Sequence, residues 1–208
     1  MKKRIAKLER DTKETKISVE LNIDGKGRSS IKTGIAFLDH MLTLFSKHGL
    51  FDLKIKAKGD LNVDIHHTNE DVGITLGKAF KKALDKKTRI SRYGDSFVPM
   101  DGSLVRVVAD ISNRPSLHVH QKTGKKIEHL LDTLTISKKE DYSFNVCEQF
   151  ISSFAMNAGI NMHVEILSFD KDLHHLLEAI FKAMARALDK ATQIDKRVKG
   201  IPSTKGKL

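Results

Sequence analysis

Apolar and polar residues alternate at Ile17, Val19, Leu21 and Ile23, and the run stops at Asp-Gly-Lys-Gly (24–27). A period of two marks a strand with one buried face. The same alternation marks Leu53, Ile55 and Ala57, and again Ile160, Met162, Val164 and Ile166. Segment 91–125 adds "SLVRVVADIS" and "SLHVHQ", which read as further strands. Elsewhere the apolar spacing changes to three and four. Val72, Leu76, Phe80 and Leu84 form one such stripe, and Leu177, Ile180, Met184 and Leu188 form another. That spacing predicts helices. Two more helices are predicted, "AFLDHMLTLFSKHG" and "FNVCEQFISSFAMNAG", each running into a glycine (Gly49, Gly159).

The order helix–strand–helix therefore occurs twice. The second helix of each set opens on the same string, Asp-apolar-His-His-x-x-Glu, as "DIHHTNED" at 64–71 and "DLHHLLEA" at 172–179. His40 precedes His66 by 26 residues and Gln149 precedes His174 by 25; Phe45 and Phe154 each follow those positions by five. Self-similarity at this scale is an internal duplication. It predicts two α/β half-domains related by a pseudo-twofold axis, the first over residues 1–90 and the second over 91–195, with a C-terminal tail over 196–208. No Pro/Gly/Ser-rich linker separates the halves, so they are expected to pack as one unit.

Composition narrows the class. The 208 residues are 39% hydrophobic and 30% charged, the balance of a globular protein. No apolar run approaches the roughly 18 residues of a membrane span. The start, "MKKRIAKLERD", carries no apolar signal core, and Cys147 is the single cysteine. These features lead us to expect a cytoplasmic protein in a reducing compartment. The formal charge of +11 admits nucleic acid, anionic lipid or a phosphorylated small molecule as partner. The basic runs are short and scattered, aromatic content is 6%, and there is no Trp, so a nucleic-acid footprint is disfavoured.

The repeated motif carries the chemistry. On a helix, residues i and i+4 share a face. His66 therefore points with Glu70 and His174 with Glu178, whereas His67 and His175 are turned about 100° away. Each helix offers an imidazole–carboxylate pair to one ion and a lone imidazole to another. One such helix would be unremarkable helix-start polarity. Two in matching context, with His40 at a repeat-equivalent position, point to metal ligation. Imidazole and carboxylate without thiolate suit Mn, Fe or Zn, and an octahedral site with open positions leans to Mn or Fe.

Together with "RDTKET" (10–15), "TGIAFLDHML" (33–42), "HGLFDL" (48–53), "GDLNVDIHHTNEDVGITLGKA" (59–79), "SRYG" (91–94), "NRP" (113–115), "HHLLEAIFKAMARAL" (174–188) and "IPSTKG" (201–206), the motifs resemble the imidazoleglycerol-phosphate dehydratase family over almost the whole chain. The resemblance implies an α/β (α+β) fold of two tandem half-domains of the ribosomal-S5-domain-2 type, each a four-stranded sheet with helices on one face. It implies a 24-subunit shell with sites at subunit interfaces. It also implies two Mn ions per site and conversion of D-erythro-imidazole-glycerol phosphate to imidazole-acetol phosphate and water. His40, His66, His67, Glu70, His174, His175 and Glu178 match its metal-ligand positions. Glu14 matches the catalytic acid–base position. His48, Arg92, Arg114, Lys182, Ser203, Thr204 and Lys205 match substrate contacts, and Arg forks, Lys and hydroxyls suit a phosphate ester.

The chain departs from that family's pattern in four places. Gln149 stands where the family has His or Glu, Asp170 and Asp172 where it has Gly-x-Asn, Gly102 where it has Glu, and Asn113 where it has Gly. A neutral amide at 149 would lose one ligand, recruit water or bind more weakly. The added carboxylates would alter the loop and repel a phosphate. A catalytically impaired metal-binding homologue is thus the alternative to the dehydratase, and a basic nucleic-acid-binding module ranks below both. Among the other histidines, His163 reads as structural on the polar face of its strand. His118 and His120 share a face and read as solvent-exposed rather than as a metal pair, and His129 carries no argument.

Overall fold

The computed structural model describes residues 3–121, 134–136 and 142–208. His129 lies outside these residues, as does the end of segment 91–125 after Gln121. Strands β1 (Ile5–Asp11), β2 (Thr15–Asn22) and β3 (Ser29–Lys32) precede helix α1 (Ala36–Gly49), strand β4 (Asp52–Gly59) and helix α2 (His66–Leu84). The second half repeats the plan with β5 (Tyr93–Met100), β6 (Ser103–Asp110), β7 (Ser116–Gln121), α3 (Phe144–Ala158), β8 (Asn161–Ser168) and α4 (Leu173–Thr192).

The two sheets have one topology. Their strand orders are β1-β2-β4-β3 and β5-β6-β8-β7. In each, the third strand runs parallel to its neighbour and the other pairs are antiparallel. The expected duplicated α+β fold, two four-stranded sheets with helices on one face of each, is the fold observed.

Alternation builds each sheet's inner face. Ile17, Val19 and Leu21 on β2 and Val105, Val107 and Ala109 on β6 are buried to within 1% exposure. The helices lie between the two inner faces. α2 packs on β1 and β2 and against α3, while α4 packs on β5 and β6 and against α1. The joint between the halves is thus a layer of helices. Phe45 of α1 and Phe154 of α3, repeat-equivalent residues, meet there with ring centroids 6.0 Å apart. Equivalent residues that touch one another must lie beside the symmetry axis.

The first of the two predicted glycine-ended helices is observed over its full predicted span, Ala36–Gly49, and the two glycines play different parts. Gly49 is still helical, and Leu50 takes the left-handed cap position (φ 56°). Gly49 lacks a side chain for another reason: a Cβ there would collide with the Phe51 ring. At the equivalent end of α3, Gly159 does adopt the left-handed cap (φ 73°).

Candidate metal centre and its surroundings

Each histidine motif sits on the first turn of its helix, where backbone N–H groups lack helical partners. Asp64 accepts from the N–H of His66 (2.8 Å), and Asp172 accepts from the N–H groups of His174 and His175 (2.9 and 3.4 Å). Asp172 is therefore a helix cap with a counterpart in the first half.

The pseudo-twofold joint brings helices of opposite halves together, and so builds two clusters. In the first, His40 of α1 places Nε2 2.8 Å from Glu178 Oε1, and His174 Nε2 lies 3.1 Å from the same oxygen. One ligand atom from each of these three residues falls within 4.8 Å of the others. Glu178 is only 7% exposed. Burial works against its charge, but hydrogen bonds from Lys182 (2.5 Å), His40 and His174 outweigh it and hold the carboxyl down at about 2. The cluster therefore presents a fixed anion and two imidazoles to one point.

The second cluster is the pseudo-symmetric copy. His66 Nε2 lies 3.6 Å from Glu70 Oε2, and Gln149 Nε2 lies 3.4 Å from His66 Nε2. Gln149 thus occupies the place that His40 holds in the first. This copy is looser. The Glu70 side chain is 42% exposed, against 10% for Glu178. Lys182 follows Glu178 by four residues, whereas the residue four after Glu70 is Ile74. Phe37, Tyr142 and Asn69 lie beside both clusters: Phe37 packs edge-on to His174 (5.3 Å) and against Tyr142 (5.0 Å), whose hydroxyl donates to Asn69 Oδ1 (3.2 Å).

His67 and His175 turn away from these clusters, as helical geometry requires. His67 Nδ1 lies 2.9 Å from Asp60, and His175 Nδ1 lies 3.3 Å from Asp170. Asp60 and Asp170 accept from the respective imidazoles, and these hydrogen bonds raise the pKa of both rings. A carboxylate on one ring nitrogen fixes the ring's orientation, and the other nitrogen of His175 lies 3.3 Å from Asp101. These orienting carboxylates were not identified from sequence. The available signal was an Asp shortly before each motif, Asp60 in "GDLNVDIHH" and Asp170 in "FDKDLHH". Asp170 is also committed to the Gly102 N–H (3.1 Å) and Ser103 Oγ (3.0 Å). Burial opposes its charge, yet these bonds and the Asp172 N–H bring it down to about 2. The departures at Asp170 and Asp172 are thus internal ties of the loop.

Glu14 lies in the β1–β2 turn, and its carboxylate is 3.9 Å from His67 Nδ1. The turn is tied to α2 by Asp71, which accepts from Thr15 Oγ1 (2.6 Å) and pairs with Arg10 (2.8 Å). His48, near the end of α1, faces the cations of Lys182 and Arg186; burial and these charges lower its pKa.

The remaining predicted residues gather elsewhere. Arg92 donates to Asp110 (2.7 Å) and to the Pro202 carbonyl (2.9 Å), and Arg114 lies 3.9 Å from the same Asp110. Ser203, Thr204 and Lys205 form the turn that follows, with Ser203 Oγ accepting from the Lys205 N–H (3.2 Å). Arg92 is bonded to Ala191 near the end of α4, whereas His175 is in its first turn beside Asp101 (3.3 Å). Sixteen helical residues separate the two, about 24 Å along the axis. A single chain does not bring Arg92 and the tail turn it anchors to the His174 and His175 end of α4.

Duplicated α+β chains with paired imidazole–carboxylate clusters at the joint between their halves form a narrow class of enzyme. The model of the imidazoleglycerol-phosphate dehydratase (IGPD) family matches residues 33–188. The chain is 53% identical over 203 residues to the imidazoleglycerol-phosphate dehydratase of Thermoanaerobacter pseudethanolicus, covering 98% of each protein. It is 51% identical over 205 residues to that of Bacillus pumilus, covering 99% of this chain and all of the relative (100%). In three dimensions it resembles IGPD from Pyrococcus furiosus (TM-score 0.76, 35% identity, 97% and 100% of the two chains). The Staphylococcus aureus enzyme gives a TM-score of 0.74 at 33% identity, over 92% and 99% of the two chains. The chain belongs to the imidazoleglycerol-phosphate dehydratase family, hydro-lyases of histidine biosynthesis. No helix among the described residues is long and apolar enough to cross a membrane.

Proposed function

We propose that this chain dehydrates D-erythro-imidazole-glycerol phosphate to imidazole-acetol phosphate with two manganese ions per site. The observation that carries the reading is the convergence of His40, His174 and Glu178 on one point, with Glu178 held as an anion. Two imidazole nitrogens and a carboxylate oxygen, without thiolate, suit Mn, and also Fe or Zn. His66 and Glu70, with Gln149, would hold the second ion more weakly. His67 and His175, ring-locked by Asp60 and Asp170, would offer their remaining nitrogens to ions shared with neighbouring copies, His175 by exchanging its contact with the exposed Asp101 for the ion. Manganese, when bound, would supply Lewis-acid stabilisation of the charge that develops on the substrate's ring and on its departing oxygen.

The chain's own residues do the rest. Glu14, next to His67 and exposed, would take the proton from a carbon that has no carbonyl beside it. Arg114 and the Ser203–Lys205 turn would hold the phosphate, with Arg92 anchoring the turn through the Pro202 carbonyl. His48 and Lys182 sit behind the first cluster, where Lys182 keeps Glu178 charged. Because Arg92 and the tail turn lie at the far end of α4 from His174 and His175, a site that uses both would draw on more than one copy. A closed homo-oligomer, of 24 subunits by family resemblance, meets that need.

The direct test is turnover of imidazole-glycerol phosphate by protein stripped with a chelator and then given Mn. Activity should vanish and return. Folded, soluble protein that stays inactive with Mn, Fe and Zn alike would move the assignment to a metal-binding homologue without turnover.

A further inference from the structure

The outer face of the second sheet carries a histidine group that the dehydratase reading does not use. His118 and His120, two apart on β7, point to the same side of the sheet. β7 runs parallel to β8 with His118 directly opposite His163 and His120 opposite Glu165. His163, read from sequence as structural, therefore joins a pair read as merely exposed. The His118 and His163 rings stack at 4.6 Å, and those of His120 and His163 lie 5.4 Å apart. His120 Nε2 is 3.2 Å from His163 Nδ1.

We propose that His118, His120 and His163 form a separate site for a borderline divalent cation of the Zn, Ni or Cu class. Three arguments carry it. Two ligands on a tetrahedral ion bound at about 2.0–2.1 Å sit about 3.3–3.4 Å apart, close to the observed nitrogen separation. Imidazole-only donor sets favour these ions over Mn or Mg. His118 and His120 are exposed, so His118 can turn from its stacked position toward the ion without uncovering the core. The pKa of His163 is lowered first by burial and then by its two neighbours, which keeps its lone pair available near neutral pH. β7 is an edge strand, so an ion held here would clasp it to β8.

Cobalt(II) is the probe. Four-coordinate cobalt absorbs visible light far more strongly than six-coordinate cobalt, so its spectrum separates this site from an octahedral dehydratase site. Metal-free wild-type protein titrated with Co(II) should develop an intense visible band and take up one equivalent per chain more than His163→Gln or His120→Gln. Zn(II) should abolish the band at one equivalent. Dehydratase activity with Mn should be the same in wild type and in His120→Gln, whose exposed side chain is not needed for folding; matching thermal melts without metal verify this. Equal stoichiometry and the same spectrum in wild type, His120→Gln and His163→Gln would overturn the proposal.

Discussion

At the scale of single residues, the two clusters differ in one atom type with a large effect. His40 gives the first cluster an imidazole nitrogen, and Gln149 gives the second a neutral amide. Charge count tunes cation affinity, so Gln149→Glu should tighten Mn binding at the second cluster by about tenfold. Isothermal titration would read this as a change confined to the weaker of two phases. Asp170→Asn leaves His175 without its charged orienting partner and should weaken binding by roughly 10–100-fold, measured in the same titration. The His–Glu pairs were legible in the sequence because a helix fixes which residues share a face. Asp60 and Asp170 were not, because they reach their imidazoles across loops of different length, seven residues in one half and five in the other.

At the scale of elements, legibility follows burial. Strands β2, β4, β6 and β8 are central in their sheets, bury every second residue, and show the period of two clearly. The strands not picked out from the sequence, β1, β3 and β5, are all at sheet edges. β5 even contains Pro99, and it exposes Tyr93 and Phe97 by more than half. An edge strand tolerates a missing N–H and needs only a partial apolar face. The helix layer holds another feature that periodicity missed. Gly73 and Gly77, four apart on α2, face α3, where a Cβ would come within 2.8 Å of the Phe150 carbonyl and 2.5 Å of that of Phe154. Alanine usually stabilises a helix by about 1 kcal/mol relative to glycine. Here the clash reverses the sign, and Gly77→Ala should cost about 1–3 kcal/mol. Denaturant unfolding of the metal-free protein would show it as a lower midpoint at unchanged slope.

At the scale of the whole molecule, the proposed site makes assembly a condition of activity, because Arg92 and the tail turn lie at the far end of α4 from His174. His174→Ala and Arg114→Ala chains should each be inactive alone. Co-refolded in equal amounts, they should regain activity, with about a quarter of sites drawing both intact parts from different copies. A mixture that stays inactive would place the whole site within one copy. The joint between the halves has a kinetic side as well. His40 and Glu178 meet although they stand 138 positions apart in the chain. A contact of such long range forms late, after the loop it closes has been ordered. An ion held between them acts as a latch on the finished fold. Manganese should therefore slow unfolding in stopped-flow experiments while leaving the folding rate nearly untouched, so that the metal lengthens the life of the native state without hastening its birth.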